Sequence, residues 1–242
     1  MNKETKRIGR FTSSQMSRLC ASLKSGKPSS AFFTYVDEVY CESQMGRSIN
    51  HDVNTIPMRW GRLMEVVLFN LLGLDYTMAH KMTVVNKDLP MHSGTPDLVS
   101  EQAKKTGEIK CYYPKKFSAM SLCINKKDVQ LFKENFKEEY WQCVSNSVLL
   151  GYDKAEIICF MPYKKELQEI VEMVEDTNFL ESNNLDPQDF YFLTNNDIDS
   201  LPYLPDDSKM SNINQFEFVI PQEDKDFMIE RIEMATELIK SK

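Results

Sequence analysis

Long hydrophobic runs are missing from this sequence. No stretch approaches the ~20 apolar residues that a membrane helix needs, so no membrane role is expected. The opening Met1-Asn2-Lys3-Glu4-Thr5-Lys6 is polar and lacks the apolar core of a secretory signal, so none is expected. Glycine (8) and proline (10) are scarce among 242 residues, which excludes a linker-rich or low-complexity chain. The six cysteines, at 20, 41, 111, 123, 143 and 159, form no CxxC pair, and the three histidines, at 51, 80 and 92, sit at no ligand spacing. A zinc site is therefore not expected, and the cysteines read as free thiols, several of them buried. What is present, 42% hydrophobic and 27% charged residues, suits one globular domain over 1–242.

Net charge is −7, which by itself argues against a nucleic-acid partner. The charge is unevenly spread, however. Residues 1–150 hold 21 Lys and Arg against 15 Asp and Glu, whereas residues 151–242 hold 8 against 21. A basic first part can hold DNA while an acidic last part keeps the chain soluble, although a merely solvated tail reads equally well.

No internal repeat is visible. A short helix is expected over 12–24, capped by Thr12, Ser13 or Ser14, with a further helical stretch near 30–43. The clearest helix spans 57–73: Trp60, Leu63, Met64, Val67, Leu68, Leu71 and Leu72 recur at three-to-four spacing and Gly73 ends it. Strands are expected at 81–86, 95–100 and 106–112, the last two as a hairpin with a turn around Lys104–Gly107. Helix follows over 126–150, in one or two pieces opened by Asn125, then a buried strand over 155–161 and a charged helix over 164–175. Residues 177–212 are rich in Asn, Asp, Ser and Pro and read as a surface insertion with a strand at 190–193. An amphipathic helix over 222–241 closes the chain. This order gives an α/β class, a mixed central sheet flanked by helices.

Three segments place acids where burial is costly. One is Gly94-Thr95-Pro96-Asp97-Leu98-Val99, and a second is Gly107-Glu108-Ile109-Lys110-Cys111. Strand side chains alternate, so Glu108 and Lys110 share a face, with Asp97 in reach on the partner strand. Two such carboxylates repel, and a divalent cation removes the conflict. Hard oxygen ligands suit Mg²⁺, with Mn²⁺ as a substitute, and a neighbouring lysine can orient or deprotonate water and stabilise phosphate charge. The third acid, Glu65, lies inside an apolar helical stretch and needs a partner, and Gly61 one turn earlier leaves room for close approach. Each piece alone also fits a bland reading: an exposed helix glutamate, a turn aspartate, a cross-strand charge pair. The joint pattern is far more specific.

That pattern resembles the PD-(D/E)xK nuclease superfamily and, within it, the YqaJ-type viral recombinases, the family of the phage lambda exonuclease. The similarity runs over roughly 7–175 and 215–240. Its pieces are Arg7-Ile8-Gly9-Arg10-Phe11-Thr12-Ser13-Ser14, Trp60-Gly61-Arg62-Leu63-Met64-Glu65, the two acidic segments above, and Tyr140-Trp141-Gln142 running on to Leu149-Leu150-Gly151. The resemblance implies a restriction-endonuclease-like core. It implies that Asp97, Glu108 and the backbone carbonyl of Ile109 ligate Mg²⁺, with Glu65 reaching the metal directly or through water. It further implies that Lys110 activates the attacking water, that Gln142 helps position that lysine or the nucleophile, and that Arg7 and Ser14 hold a terminal 5′-phosphate. A helix N-terminus with an arginine nearby is apt for such an anion. Lys115, Lys116, Lys126, Lys127, Lys133 and Lys137 are candidates for a phosphate track or for a solvated face.

The implied activity is a Mg²⁺-dependent deoxyribonuclease that digests one strand of linear double-stranded DNA from the 5′ end. It would leave 3′ overhangs for a single-strand-annealing recombinase. A ring-shaped homotrimer and a phage or bacterial setting follow from the same resemblance. The rivals are a structure-specific or restriction-type endonuclease of the superfamily and a non-catalytic DNA-binding protein on a decayed nuclease fold. The family often writes Ser-Pro-Asp-Gly where this chain has Thr95-Pro96-Asp97-Leu98.

Overall fold

The computed structural model describes residues 7–49, 54–72, 76–78 and 83–242. It begins with β1 (Phe11–Thr12), a 3-10 turn, α1 (Met16–Leu19), α2 (Ser30–Met45) and α3 (Ile56–Leu72). Short strands follow: β2 (Thr77–Met78), β3 (Val84–Val85), β4 (His92–Gly94) and β5 (Leu98–Ser100), then the longer β6 (Lys105–Lys110). Three helices, α4 (Pro114–Ile124), α5 (Val129–Asn135) and α6 (Lys137–Leu150), lead to β7 (Lys154–Phe160). The remainder is α7 (Lys164–Glu175), α8 (Thr177–Ser182), α9 (Tyr191–Thr194), β8 (Ile213–Val219) and α10 (Gln222–Lys240).

The main sheet has the order β2-β5-β6-β7-β8, and only its β6–β7 pair is parallel. Parallel neighbours need a long crossover, here the three helices α4 to α6. Because β7 is covered on both faces, its Ala155–Phe160 run is buried throughout. Alternation sends Ile157 and Cys159 into a core with α1, α2, α4, α6 and α10. Ile158 and Phe160 point the other way, into a core with α3, α7, α8 and α9. A smaller sheet, β1-β4-β3, sets Phe11 beside His92 and so ties the N-terminal segment to the start of the acidic region.

The mixed sheet flanked by helices is as expected, and so are the β5–β6 hairpin and α7; of the one or two helical pieces expected over 126–150, two are present. Several local expectations are corrected. The first helix is a 3-10 turn plus one α-helical turn ending at Leu19. Asn125 ends α4 instead of opening the next helix; that start is capped by Asp128, which accepts the Leu131 N–H at 3.0 Å. The turn of the hairpin lies at 101–104, with Lys104 in the left-handed region (φ 50°). Gly73 and residues 81–82 of the expected 81–86 strand lie outside the described residues, and 84–85 are β3. No strand occupies 190–193, where a 3-10 turn runs into α9. Within 177–212, Leu180, Phe190 and Leu193 are buried against α7 and α3, so the segment packs onto the fold through a few apolar side chains. Polar spacing hid these few apolar anchors. Five of the six cysteines are buried and all are free, and among the described residues no helix is long and apolar enough to cross a membrane.

At the far end of the sheet Lys105 bridges Glu156 (2.7 Å) and Glu217 (2.9 Å), and Tyr76 donates to Glu156. Burial and the Glu217 charge push Glu156 up to about 7 from its ordinary 4.5. A carboxyl raised on folding favours the protonated form, so its contribution is full below about pH 4.5 and is lost as pH rises through about 7. Relative to a Glu156→Gln variant, the wild type should lose about 1–2 kcal/mol of unfolding free energy across that window, after allowing for solvent screening at this partly exposed end of the sheet. Urea unfolding at pH 4.5, 6 and 7.5 checks this; parallel pH profiles for the two proteins would refute it.

Candidate active site

Glu108 is the centre of the site. It stands on β6, only 2% exposed, on the face covered by α6. An ionised group so placed needs donors, and three supply them. Lys110 Nζ donates to Oε1 at 2.6 Å, Gln142 Nε2 to Oε1 at 2.5 Å, and Asn146 Nδ2 to Oε2 at 3.0 Å. Gln142 and Asn146 are four residues apart on α6 and so present one face to the strand. The Gln142 Oε1 accepts from Lys110 at 3.2 Å, which closes the triangle.

Asp97, just before β5, accepts the Ile109 N–H through Oδ2 at 2.9 Å, so the hairpin brings the two acidic segments together. Burial first, and then the Asp97 charge, raise Glu108 well above the carboxylate range. Burial alone would lower Lys110, but Glu108 and Asp97, with Glu65 further out, more than offset it and hold this lysine above its usual range. Lys110 is thus firmly cationic in this arrangement. Cys111 and Cys143 are pushed up by burial and by the same carboxylates, which leaves both thiols protonated.

A cavity of about 440 Å³ opens beside this cluster. Arg7, Ser14, Glu65, Asp97 and Gln142 all line it, so five of the residues singled out in the sequence meet in one space. Arg7 Nη2 donates to Ser14 Oγ at 3.3 Å. The helix behind Ser14 is a single turn and supplies little dipole, so attraction for an anion rests on the guanidinium and the hydroxyl. Glu65 also lines a second cavity of about 970 Å³, together with Gly61, Lys110, Tyr112, Tyr113 and Lys116. A Cβ on Gly61 would meet nothing within 4 Å, in keeping with the room expected there.

Among the described residues no three His, Cys, Asp or Glu side chains converge as a ready-made metal cluster. The donor set is two carboxylates, Asp97 and Glu108, with Glu65 near. Oxygen donors of this kind, with the Asp97 charge that helps raise Glu108, fit a divalent cation. Of the six candidate track lysines, Lys116 pairs with Glu139 (2.8 Å), Lys133 with Asp224 (2.5 Å), and Lys127 donates to the Gln215 carbonyl. These three serve the fold.

Sequence reasoning missed Asn146, whose signal was its place one turn after Gln142 in a buried helix. It missed the chain Ser13–Ser145–His92 behind the cavity, in which Ser145 Oγ donates to Ser13 Oγ (2.8 Å) and lies 2.7 Å from His92 Nε2. Burial pulls His92 down to about 3, so the ring stays neutral. It also missed 183–185, which line the first cavity, and Asp189, which pairs with Arg62 (2.9 Å) and Arg59 (3.6 Å) of α3.

No family model matches the sequence, and no curated protein matches it either. Solved structures do resemble it. LHK-Exo in complex with dAMP superposes with a TM-score of 0.64 at 11% identity, covering 98% of this chain and 91% of that one. The alkaline exonuclease LHK-Exo from Laribacter hongkongensis gives 0.61 at 11%, covering 97% and 90%. A phage-related exonuclease from Haemophilus somnus 129PT gives 0.58 at 14%, covering 96% and 94%. This chain has the α/β fold of these exonucleases.

Gly94 shows how tightly the site is built. A Cβ there would overlap Ser13 Oγ and stand 2.5 Å from Leu149 Cδ1 and 3.0 Å from Asn146 Oδ1. Gly94→Ala should therefore destabilise the protein by about 2–3 kcal/mol through overpacking. Thermal unfolding measures it, and an unchanged midpoint would refute this packing.

Proposed function

We propose that the chain is a Mg²⁺-dependent deoxyribonuclease, a 5′-to-3′ exonuclease on linear double-stranded DNA that leaves 3′ overhangs. The observation that carries this reading is the single cavity lined by both the Arg7–Ser14 pair and the acidic residues Glu65 and Asp97. A phosphate-sized anion site and a cation site one cavity apart suit a strand end whose first internucleotide bond is to be cut. The fold shared with three solved exonuclease structures supports the same reading.

In this reading Asp97, Glu108 and the Ile109 carbonyl hold the cation, with Glu65 alongside. Mg²⁺, when bound, supplies positive charge to phosphoryl oxygens and lowers the pKa of nearby water. Lys110 offers its ammonium to the phosphate and orients the incoming water, and Gln142 keeps Lys110 and Glu108 in register. Arg7 and Ser14 hold the terminal 5′-phosphate, one nucleotide from the bond that breaks. Water adds at phosphorus through its oxygen as one of its protons passes to solvent. The bond from phosphorus to the 3′ oxygen of the end nucleotide breaks, that oxygen takes a proton from water and leaves as a hydroxyl, and the shortened strand keeps a new 5′-phosphate. Each turn thus restores the group that the pocket holds. The overhang would serve a strand-annealing recombinase, and a ring of three copies would keep the enzyme on its strand.

The test is digestion of linear DNA with and without a 5′-phosphate, beside closed circular DNA, in Mg²⁺. Only linear DNA should be lost, about tenfold faster with the phosphate, and Arg7→Ala should erase that preference. Lys110→Ala should slow the reaction by roughly 10²–10⁴. Cutting of the circle would replace this reading with the endonuclease, and no cleavage in Mg²⁺ or Mn²⁺ would end both.

A further inference from the structure

A further cavity, of about 580 Å³, adjoins the acidic one on the side away from the metal residues, and Arg7 and Ser14 line both. Beyond that shared pair the two spaces differ in kind. The acidic cavity holds Glu65 and Asp97, whereas its neighbour holds neither and adds Arg10, Arg18 and Arg47.

The two carboxylates in this basic lining, Glu38 and Glu42, are already engaged. Arg18 donates to both oxygens of Glu38, at 2.6 and 2.7 Å, and lies 4.8 Å over the Tyr35 ring. Glu42 accepts from Ser48 Oγ at 3.2 Å and from the Ile49 N–H at 3.3 Å. Tyr35 is buried and its oxygen accepts the Thr12 N–H at 2.8 Å, which fixes the floor. Arg47 is exposed, and among the described residues no hydrogen bond or ion pair engages its side chain. The wall as a whole is net positive, and the volume lies in the range of small-molecule sites.

The shared pair also sets a direction. A terminal phosphate on Arg7 and Ser14 has its nucleotide toward Glu65 and Asp97, where the bond is to be cut. Whatever that phosphate carries on its other side points into the basic cavity.

We propose that the basic cavity receives further phosphates of the same 5′ end, so that the site takes a 5′-diphosphate or 5′-triphosphate terminus as well as a monophosphate. The assignment rests on the reading that Arg7 and Ser14 hold the terminal phosphate. Guanidinium groups suit the added phosphates, since each presents a planar fork of donors to phosphate oxygens. With a triphosphate end the first turn still consumes one water. Its oxygen joins the strand's new 5′-phosphate, the 3′ oxygen leaves as a hydroxyl, and the released product is a deoxynucleoside triphosphate. Later turns release monophosphates.

The test begins with equilibrium binding of inorganic phosphate and pyrophosphate to the full chain with EDTA present. Pyrophosphate should bind the wild type roughly tenfold more tightly than phosphate. Arg47→Ala should close most of that gap and leave inorganic phosphate unaffected. Linear duplex with a 5′-triphosphate should then be digested in Mg²⁺ at a rate comparable to the monophosphate form, its first product a deoxynucleoside triphosphate. An unaltered gap in Arg47→Ala, or equal binding of the two probes, overturns the assignment while the Arg7–Ser14 pocket stands. Refusal of the triphosphate end, with Arg47→Ala weakening the binding of monophosphate duplex, gives the cavity to the complementary strand and also overturns it. Absence of binding by both probes overturns the assignment and the pocket together.

Discussion

The site depends on one buried carboxylate. Glu108 sits between β6 and α6 with three donors on two oxygens, and each donor constrains a different part of the chain. Lys110 fixes the strand's own alternation. Gln142 and Asn146 fix the rotation and height of α6 over the sheet. An unpartnered charge at this depth would cost several kcal/mol, so any slip of helix against strand is opposed. The polar side chains along α6, which look out of place in a core helix, answer this need: Ser145 and Ser147 are buried and hydrogen-bonded to Ser13 and Thr106.

The rest of the cavity is assembled around that contact. The hairpin carries Asp97 to Ile109, and the small sheet carries the N-terminal segment to β4. Gly94 lets Ser13 and Leu149 approach where a side chain would not fit. Arg7 and Ser14 thereby reach a space bounded by Glu65 and Asp97, although these residues are far apart in sequence. Burial and the Asp97 charge raise Glu108 while Lys110 opposes them, and a divalent cation at this pair would relieve the same repulsion.

Much of this was legible because it rests on short-range rules. The alternation of Glu108 and Lys110 is a strand property, and the apolar stripe of α3 is a helix property. The contribution of 177–212 was not legible, because its few buried residues, Leu180, Phe190 and Leu193, are spread through a polar stretch in turns too short to show a period. Asn146 was passed over because a buried amide announces itself only through its partner. The helical start assigned to Asn125 failed for a local reason: Asp128, three residues on, makes the capping bond. The extent of the first helix was overestimated at both ends: Ser13–Gln15 form a 3-10 turn, and beyond Leu19 the chain leaves the helix and Ser22 bridges Pro28.

The central claim is that Asp97 and Glu108 together form a cation site. Calorimetric titration of Mn²⁺ into the wild type and Asp97→Asn tests it most directly, since it needs no DNA. Saturable binding that weakens at least about tenfold in Asp97→Asn is the expected result. Equal affinity in the two proteins, or no binding by the wild type, would contradict the account.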